Sequence, residues 1–474
     1  MKSAVLSKQL TDIQGMLRSG YGWLQSSTFW LLTIKAGREN DAREWLAALV
    51  RDDGPVISAK RVGKSREDAI EGAIAVAFTY LGLEKLGCVQ TDEHPFPTPF
   101  SSGMGSKLRV DLLKEGPGKW CWSDAKGPAG GEIVHILIAE WRSESAKSPV
   151  PIIDPAVFDV IKIDNDPYSF QKRNGSPAPQ LFESFGFRDG LAQPVIRELR
   201  EEQGATLRQA IQDAGPLYED RVVAPGEFIL GYRNEYNELT YCPNVKGWPG
   251  DATYTAGRFA LNGSYLAVRQ IEQKVKPFRE FRAAKNGKSF CEKLMGRRRN
   301  GLPLSWKGTS SVAVSDSRAD TFRFRVDDAN GFDCPKGAHI RRVNPRDSLG
   351  VDLQSSIKST KLHRLLRRGR PYLDKRDNKA SRNGIFFIAC NADLERQFEF
   401  IQQRWVRNPR FGCLHDQDDP VVGATHSPKK FSMPGLASGE EVSLSAFTET
   451  LGGGYFFLPG IKALKFIVNH VPSP

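Results

Sequence analysis

The chain has 474 residues, enough for two domains, and its 40% hydrophobic content is enough to bury a core. A formal charge of +12 admits an anionic partner. However, much of the excess lies at residues 296–300 (GRRRN) and 358–376, which lack the interleaved aromatics of a base-stacking surface, so a solvated basic face is expected and nucleic-acid binding is not. The longest apolar runs, FWLLTI at 29–34 and IVHILIA at 133–139, fall far short of the roughly 20 residues that cross a bilayer.

In chain order, the opening MKSAVLSKQLTDIQG has neither a continuous apolar segment nor a twin arginine; no export signal is read there, and a cytoplasmic location is expected. Apolar alternation predicts strands at 28–34, 132–139 and 384–389, and helical spacing predicts helices at 42–51 and 66–81. Turn-rich stretches fall at 95–105, 116–131 and 174–179, with an irregular one at 243–257. The polar, Pro- and Gly-containing region 200–226 is the expected boundary between an N-terminal domain, 1–215, and a C-terminal one, 216–474.

Seven scattered cysteines, with no CxxC spacing, argue against a disulfide framework and a structural zinc site and for reduced thiols. Gly63, Lys64 and Ser65 look like the end of a phosphate-binding loop, but Ser58 stands where its first glycine is needed. HExxH, GxSxG and CxxCH are all missing, which removes a zincin, a nucleophile-elbow hydrolase and covalently attached c-type haem.

Three segments hold residues suited to redox chemistry. FGFRDGLAQP at 185–194 sets Asp189 in a loop that Gly186 and Gly190 can tighten; CPKGAHIRRVNPR at 334–346 contains His339; HRLLRRGRPY at 363–372 contains Arg367 and Arg368. Singly, each has a bland reading: a surface turn, a packed or solvated histidine, a solvated cation.

In this order the three segments resemble the dye-decolourising peroxidase family, whose pattern is a GxxDG loop, then an AHxR loop, then an RRGxPY-like loop. Further similar stretches are DIQGMLRSGYGWL near the start, 226–236, 262–278, 383–405, DPVVG at 419–423 and GGGYFFLPGIKAL near the end, so the resemblance spans nearly the whole chain. One departure is Leu373 after Tyr372, where the family commonly has a small residue.

The resemblance implies an α+β fold of two related ferredoxin-like domains, with noncovalent haem b held mainly by the C-terminal one. It implies His339 as the axial iron ligand, backed by Asp419 with Asp418 as the alternative. Asp189 becomes the distal acid-base, and Arg367 the distal cation with Arg368 as its neighbour in register. Ile385 and Phe387, on one face of a strand, become a small apolar distal lining. The implied reaction reduces hydrogen peroxide and oxidises phenolic or anthraquinone-type donors by one-electron steps through a ferryl intermediate. Two rivals stand beside it: a haem-handling protein with weak peroxidase activity, and a basic nucleic-acid-binding protein without haem. The oligomeric state and the surface electron relay stay open.

Overall fold

The computed structural model describes residues 5–62, 70–115, 120–171, 179–199, 216–250, 257–284, 287–307, 320, 322–374, 381–423, 429–434 and 441–470. The main strands of the N-terminal part are β1 (Ser26–Ile34), β2 (Gly72–Phe78), β3 (Trp122–Ser123), β4 (Glu132–Ile133), β5 (Ile136–Arg142) and β6 (Phe158–Asp164). Four short strands follow: β7 (Phe170–Gln171) pairs with β8 (Gln180–Leu181), and β9 (Val195–Ile196) pairs in parallel with β10 (Val222–Val223). The C-terminal part has β11 (Ser264–Gln273), β12 (Leu366–Arg367), β13 (Arg370–Asp374), β14 (Arg382–Asn391), a small hairpin of β15 (Lys429–Ser432) and β16 (Glu441–Leu444), and β17 (Thr448–Leu458).

The main strands form one sheet in the order β12-β14-β11-β17-β2-β5-β1-β6, with β13 also on β14. Both parts use the same antiparallel arrangement, in which the first strand lies between the third and the fourth and the second lies outside the third: β2-β5-β1-β6 in one, β12/β13-β14-β11-β17 in the other. This is the ferredoxin-like pair that the resemblance implies, joined edge to edge through β17 and β2. The sheet curls until its ends meet: Asn165 bridges to Tyr372, and the Asp166 amide donates to the Pro371 carbonyl at 3.1 Å.

The strands expected at 28–34 and 384–389 lie within β1 and β14, and the helix expected at 42–51 is Glu39–Val50. The expected strand at 132–139 is broken into β4 and β5. The helix expected at 66–81 is not found over its described residues 70–79. Residues 63–69, including the Gly63–Lys64–Ser65 mimic, lie outside the described residues, and Gly72–Phe78 is a central strand. Both its faces are buried, so its alternation is of size rather than polarity: Ile74, Val76 and Phe78 enter one core, and Ala73, Ala75 and Ala77 the other. Alanine favours helices intrinsically, which made the spacing misleading. A helix does begin at Tyr80, where the Thr79 hydroxyl caps the Gly82 amide at 3.0 Å.

Of the turn-rich stretches, 95–105 contains the short helix Thr98–Ser102 and 116–131 contains β3. Most of 174–179 and the expected boundary from 200 to 215 lie outside the described residues. One core fills the inside of the curled sheet; the other lies between its outer face and flanking helices, among them Glu39–Val50 and Ile461–Asn469.

Candidate active site

On the outer face of the C-terminal strands lies a mostly apolar cavity of about 270 Å³. Its floor follows from strand alternation. Ile385 and Phe387 on β14 stand opposite Ile271 and Arg269 on β11, and all four line the cavity; Phe386 and Ile388, pointing the other way, are fully buried in the inner core. A π-helical stretch at Glu395–Glu399 and Ile401–Val406 supplies Phe398, Ile401, Gln402 and Val406, an irregularity often found where a helix meets a functional site.

His339 opens the short helix His339–Val343 and lines the cavity. Its Nδ1 lies 2.9 Å from Oδ2 of Asp419, which is fully buried. Asp419 Oδ1 accepts the amides of Val421 and Val422 at 2.8 and 2.9 Å. Burial alone would raise this carboxyl; His339, Arg342 and the Val422 amide outweigh it and bring it down to about 2. An ionised Asp419 only accepts, so Nδ1 carries the donated proton and Nε2 is the nitrogen left with a free lone pair. Asp418 is not the partner of the imidazole.

The two arginines after His339, read from sequence as basic character, are buried clamps. Arg342 donates to the carbonyls of Trp405 at 2.7 Å and Asn408 at 3.0 Å, and also to that of Gln417, tying the His339 helix to the Asp419 loop. Arg341 donates to the Cys334 carbonyl at 2.8 Å and lies over the Phe324 ring.

Across the cavity, Asp189 lies on a tight hairpin. Phe182 bridges to Arg188, the Asp189 amide donates to Leu181, and Gly186 and Gly190 adopt φ of +89° and +78°. A Cβ at Gly186 would fall 1.9 Å from an Arg299 nitrogen. Arg367, on β12, reaches the same loop, its Nη2 donating to the Leu191 carbonyl at 2.6 Å. Burial lowers the Arg367 guanidinium and the Asp189 charge opposes that shift. Arg368 faces the other way and donates to the carbonyls of Met16 and Leu17, so of the two only Arg367 lines the cavity. All six residues picked from the sequence, Asp189, His339, Arg367, Ile385, Phe387 and Asp419, therefore meet around this one space, five in its lining and Asp419 directly behind His339.

A basic cluster that the sequence did not reveal borders the cavity. Asp320 meets Arg297 at 2.7 Å, Arg221 at 3.4 Å and Arg346 at 3.5 Å, and Arg364 adds its charge nearby. Burial opposes ionisation of Asp320, but three guanidiniums bring it down to about 2. Burial and mutual repulsion push Arg346 down to about 10 and Arg364 to about 9, because one carboxylate cannot balance four cations. Arg188 Nη1, also at the cavity, is buried with no hydrogen-bond partner among the described residues. A flat apolar group with anionic substituents fits this donor set: apolar walls, one imidazole nitrogen, and a cationic rim. Those are the requirements of haem with its two propionates. Among the described residues no three His, Cys, Asp or Glu side chains cluster as a metal site of their own.

Comparisons with known proteins agree. A family profile described as "Dyp-type peroxidase, C-terminal" matches residues 250–426. The chain is 27% identical to a dye-decolorizing peroxidase of Exidia glandulosa, over 97% of this chain and 87% of that protein. It is 30% identical to the multifunctional dye peroxidase DyP2 of an Amycolatopsis species, over 43% of this chain and 48% of that protein. The fold matches the Anabaena DyP-type peroxidase with a TM-score of 0.75 at 20% identity, covering 97% of this chain and 95% of that one. It matches the Auricularia auricula-judae enzyme at 0.71 and 23%, covering 97% and 99%. Residues 250–426 thus match the DyP-type peroxidase C-terminal family, and along nearly its whole length the chain is similar to dye-decolourising peroxidases and shares their fold.

Proposed function

We propose that the protein is a haem peroxidase in which Asp189 and Arg367 work on one side of the cofactor and His339, backed by Asp419, on the other. The observation that carries this reading is the placement of an acid, a guanidinium and an imidazole around one apolar cavity with a cationic rim. A noncovalent b-type haem would be held by His339 Nε2 at its iron, and Arg346, Arg364 and Arg297 would supply the charge that its propionates need. When bound, haem supplies the iron at which hydrogen peroxide is reduced.

The protein residues do the rest. The Asp189 carboxylate takes a proton from hydrogen peroxide and returns it to the departing oxygen, which leaves as water. Arg367 offsets negative charge developing on that oxygen, and its planar fork fixes the direction of its donors. Asp419 holds the His339 tautomer and makes Nε2 a stronger donor. Ile385 and Phe387 leave room for a small oxidant and close the space to bulky ones. The electron donors are small aromatic compounds of the phenolic or anthraquinone-dye type.

The seven cysteines are unpaired thiols in the structure, which supports a cytoplasmic site of action. No helix among the described residues is long and apolar enough to cross a membrane.

The deciding experiment is an absorption spectrum of haem-loaded protein before and after stoichiometric peroxide, on wild type, H339A and D189N. H339A is expected to lose haem or its normal ligation. D189N is expected to keep the haem spectrum and slow peroxide cleavage by roughly 10²- to 10⁴-fold. Unchanged iron coordination in H339A would reject the proposed ligand.

A further inference from the structure

We propose that Glu183 passes protons to Asp189 from a second, outer groove whose inner wall it shares with the active-site cavity. The inference rests on the peroxidase reading above. The groove, about 930 Å³, lies on the far side of the Asp189 hairpin and is bordered by Tyr168, Lys274, Phe278, Arg282 and Arg382. Glu183 and Gln273 line both spaces, so they form the partition between the outer groove and the distal side of the cavity.

The contacts of Glu183 suit a carboxyl that changes protonation. It is buried, at 8% exposure, and among the described residues no lysine or arginine forms an ion pair with it. One oxygen accepts the Phe187 amide at 2.6 Å; the other accepts the Phe185 amide at 2.9 Å and the Gln273 side-chain amide. These neutral donors hold the group in place and favour its charged form without pairing it with a cation. Charged groups border it from each packed element. Its own hairpin presents Asp189 and Arg188. Arg299 binds the Gly186 carbonyl at 3.1 Å, and β12 brings Arg367. The end of β11 carries Glu272, and just beyond it stands Lys274, paired with Glu449 at 2.9 Å.

Burial raises Glu183 to about 7; its amide donors lower it in part, and the Asp189 charge adds to the rise. Near neutrality the group can therefore both give and take a proton. Cleaving hydrogen peroxide consumes no net proton, because Asp189 returns the one it takes; two protons are consumed afterwards, as two one-electron donors bring the enzyme back to its resting state. In the proposed step, during that return, the Glu183 carboxylic acid gives its proton toward the free Asp189 carboxylate and regains one from solvent in the groove, so its own charge is restored each cycle. Glu183 acts through Asp189 and is a positioning and proton-supplying residue.

The test uses the full-length, haem-loaded protein. Infrared difference spectra of the resting state across pH should show the carbonyl band of a buried carboxylic acid growing as pH falls through about 7, missing from E183Q. Stopped-flow reduction of peroxide-oxidised wild type by ferrocyanide, a donor that carries no proton, should slow as pH rises through the same region. In that reduction E183Q should be about tenfold slower below that point and lose the break, with unchanged cyanide affinity; a directly transferring group would cost more, roughly 10²- to 10⁴-fold. Q273L keeps the acid and removes a donor to its charged form, so both band and break should move to higher pH. This holds the proposal to account even if E183Q fails to fold. No titrating carboxyl band in wild type, or a Q273L or E183Q profile identical to wild type, overturns the relay. If those variants behave as wild type while D189N is slow, only the relay falls; if D189N is also as fast as wild type, the peroxidase assignment of the loop falls with it.

Discussion

Arg367 Nη2 donates to the Leu191 carbonyl at 2.6 Å, and the Arg367 amide donates to Gln193 at 3.0 Å, so the β12 arginine holds the loop that carries Asp189. Its charge and its grip are separable. R367K keeps the cation but loses the fork, and R367L loses both. Peroxide cleavage measured by stopped flow should fall roughly 10²- to 10³-fold in R367L, with R367K between it and wild type. Equal rates in R367L and wild type would remove Arg367 from the reaction.

Replacing Asp419 by Asn keeps an acceptor for the Val421 and Val422 amides but takes a full negative charge away from His339 Nδ1. The imidazole becomes a weaker donor, so the reduction potential of the bound iron should rise. Spectroelectrochemical titration of wild type and D419N checks this, and an unchanged potential would dismiss Asp419 as the controlling partner.

Phe387 presents its ring to the cavity between Arg269 and Phe398 rather than to the inner core. Truncating it enlarges the space over the floor. F387A should therefore oxidise bulky donors with a higher kcat/KM relative to small ones, as steady-state competition between a large and a small donor would show. Because the ring is only partly buried, the stability cost should stay below the roughly 3–5 kcal/mol of a fully buried Phe→Ala change.

Asp320 has an ordinary value of 3.8 and stands at about 2 in the folded chain. A depressed carboxyl contributes stability above its unfolded value, and that contribution drains away as pH falls from about 4 toward 2. The shift corresponds to about 2 kcal/mol. Chemical denaturation at pH 6 and pH 3 should show wild type losing stability on acidification more steeply than D320N. D320N itself should be markedly weaker at pH 6, since it leaves Arg297, Arg221 and Arg346 without their shared anion.

The chemistry-bearing loops were legible because each sits in a short motif whose residue types are constrained by position. The face shared by Ile385 and Phe387 followed from strand alternation alone. The Gly72–Phe78 strand was hidden because burial on both faces erases polar alternation, and its alanines imitate a helix. The cluster of Arg221, Arg297, Arg346 and Arg364 about Asp320, the clamp made by Arg342, and the partition residue Glu183 had no local signature. Their partners lie far away in sequence, and only the folded sheet brings them together.

The seam where Asp166 meets Pro371 has one more consequence. The hairpin of Asp189 departs from one side of that stitch and the strand of Arg367 from the other, so these two cavity-lining groups belong to opposite parts of the polypeptide. Neither part alone can assemble the pair. During biosynthesis the C-terminal stretch emerges last, so the carboxylate and the guanidinium come to share one cavity only after it has docked.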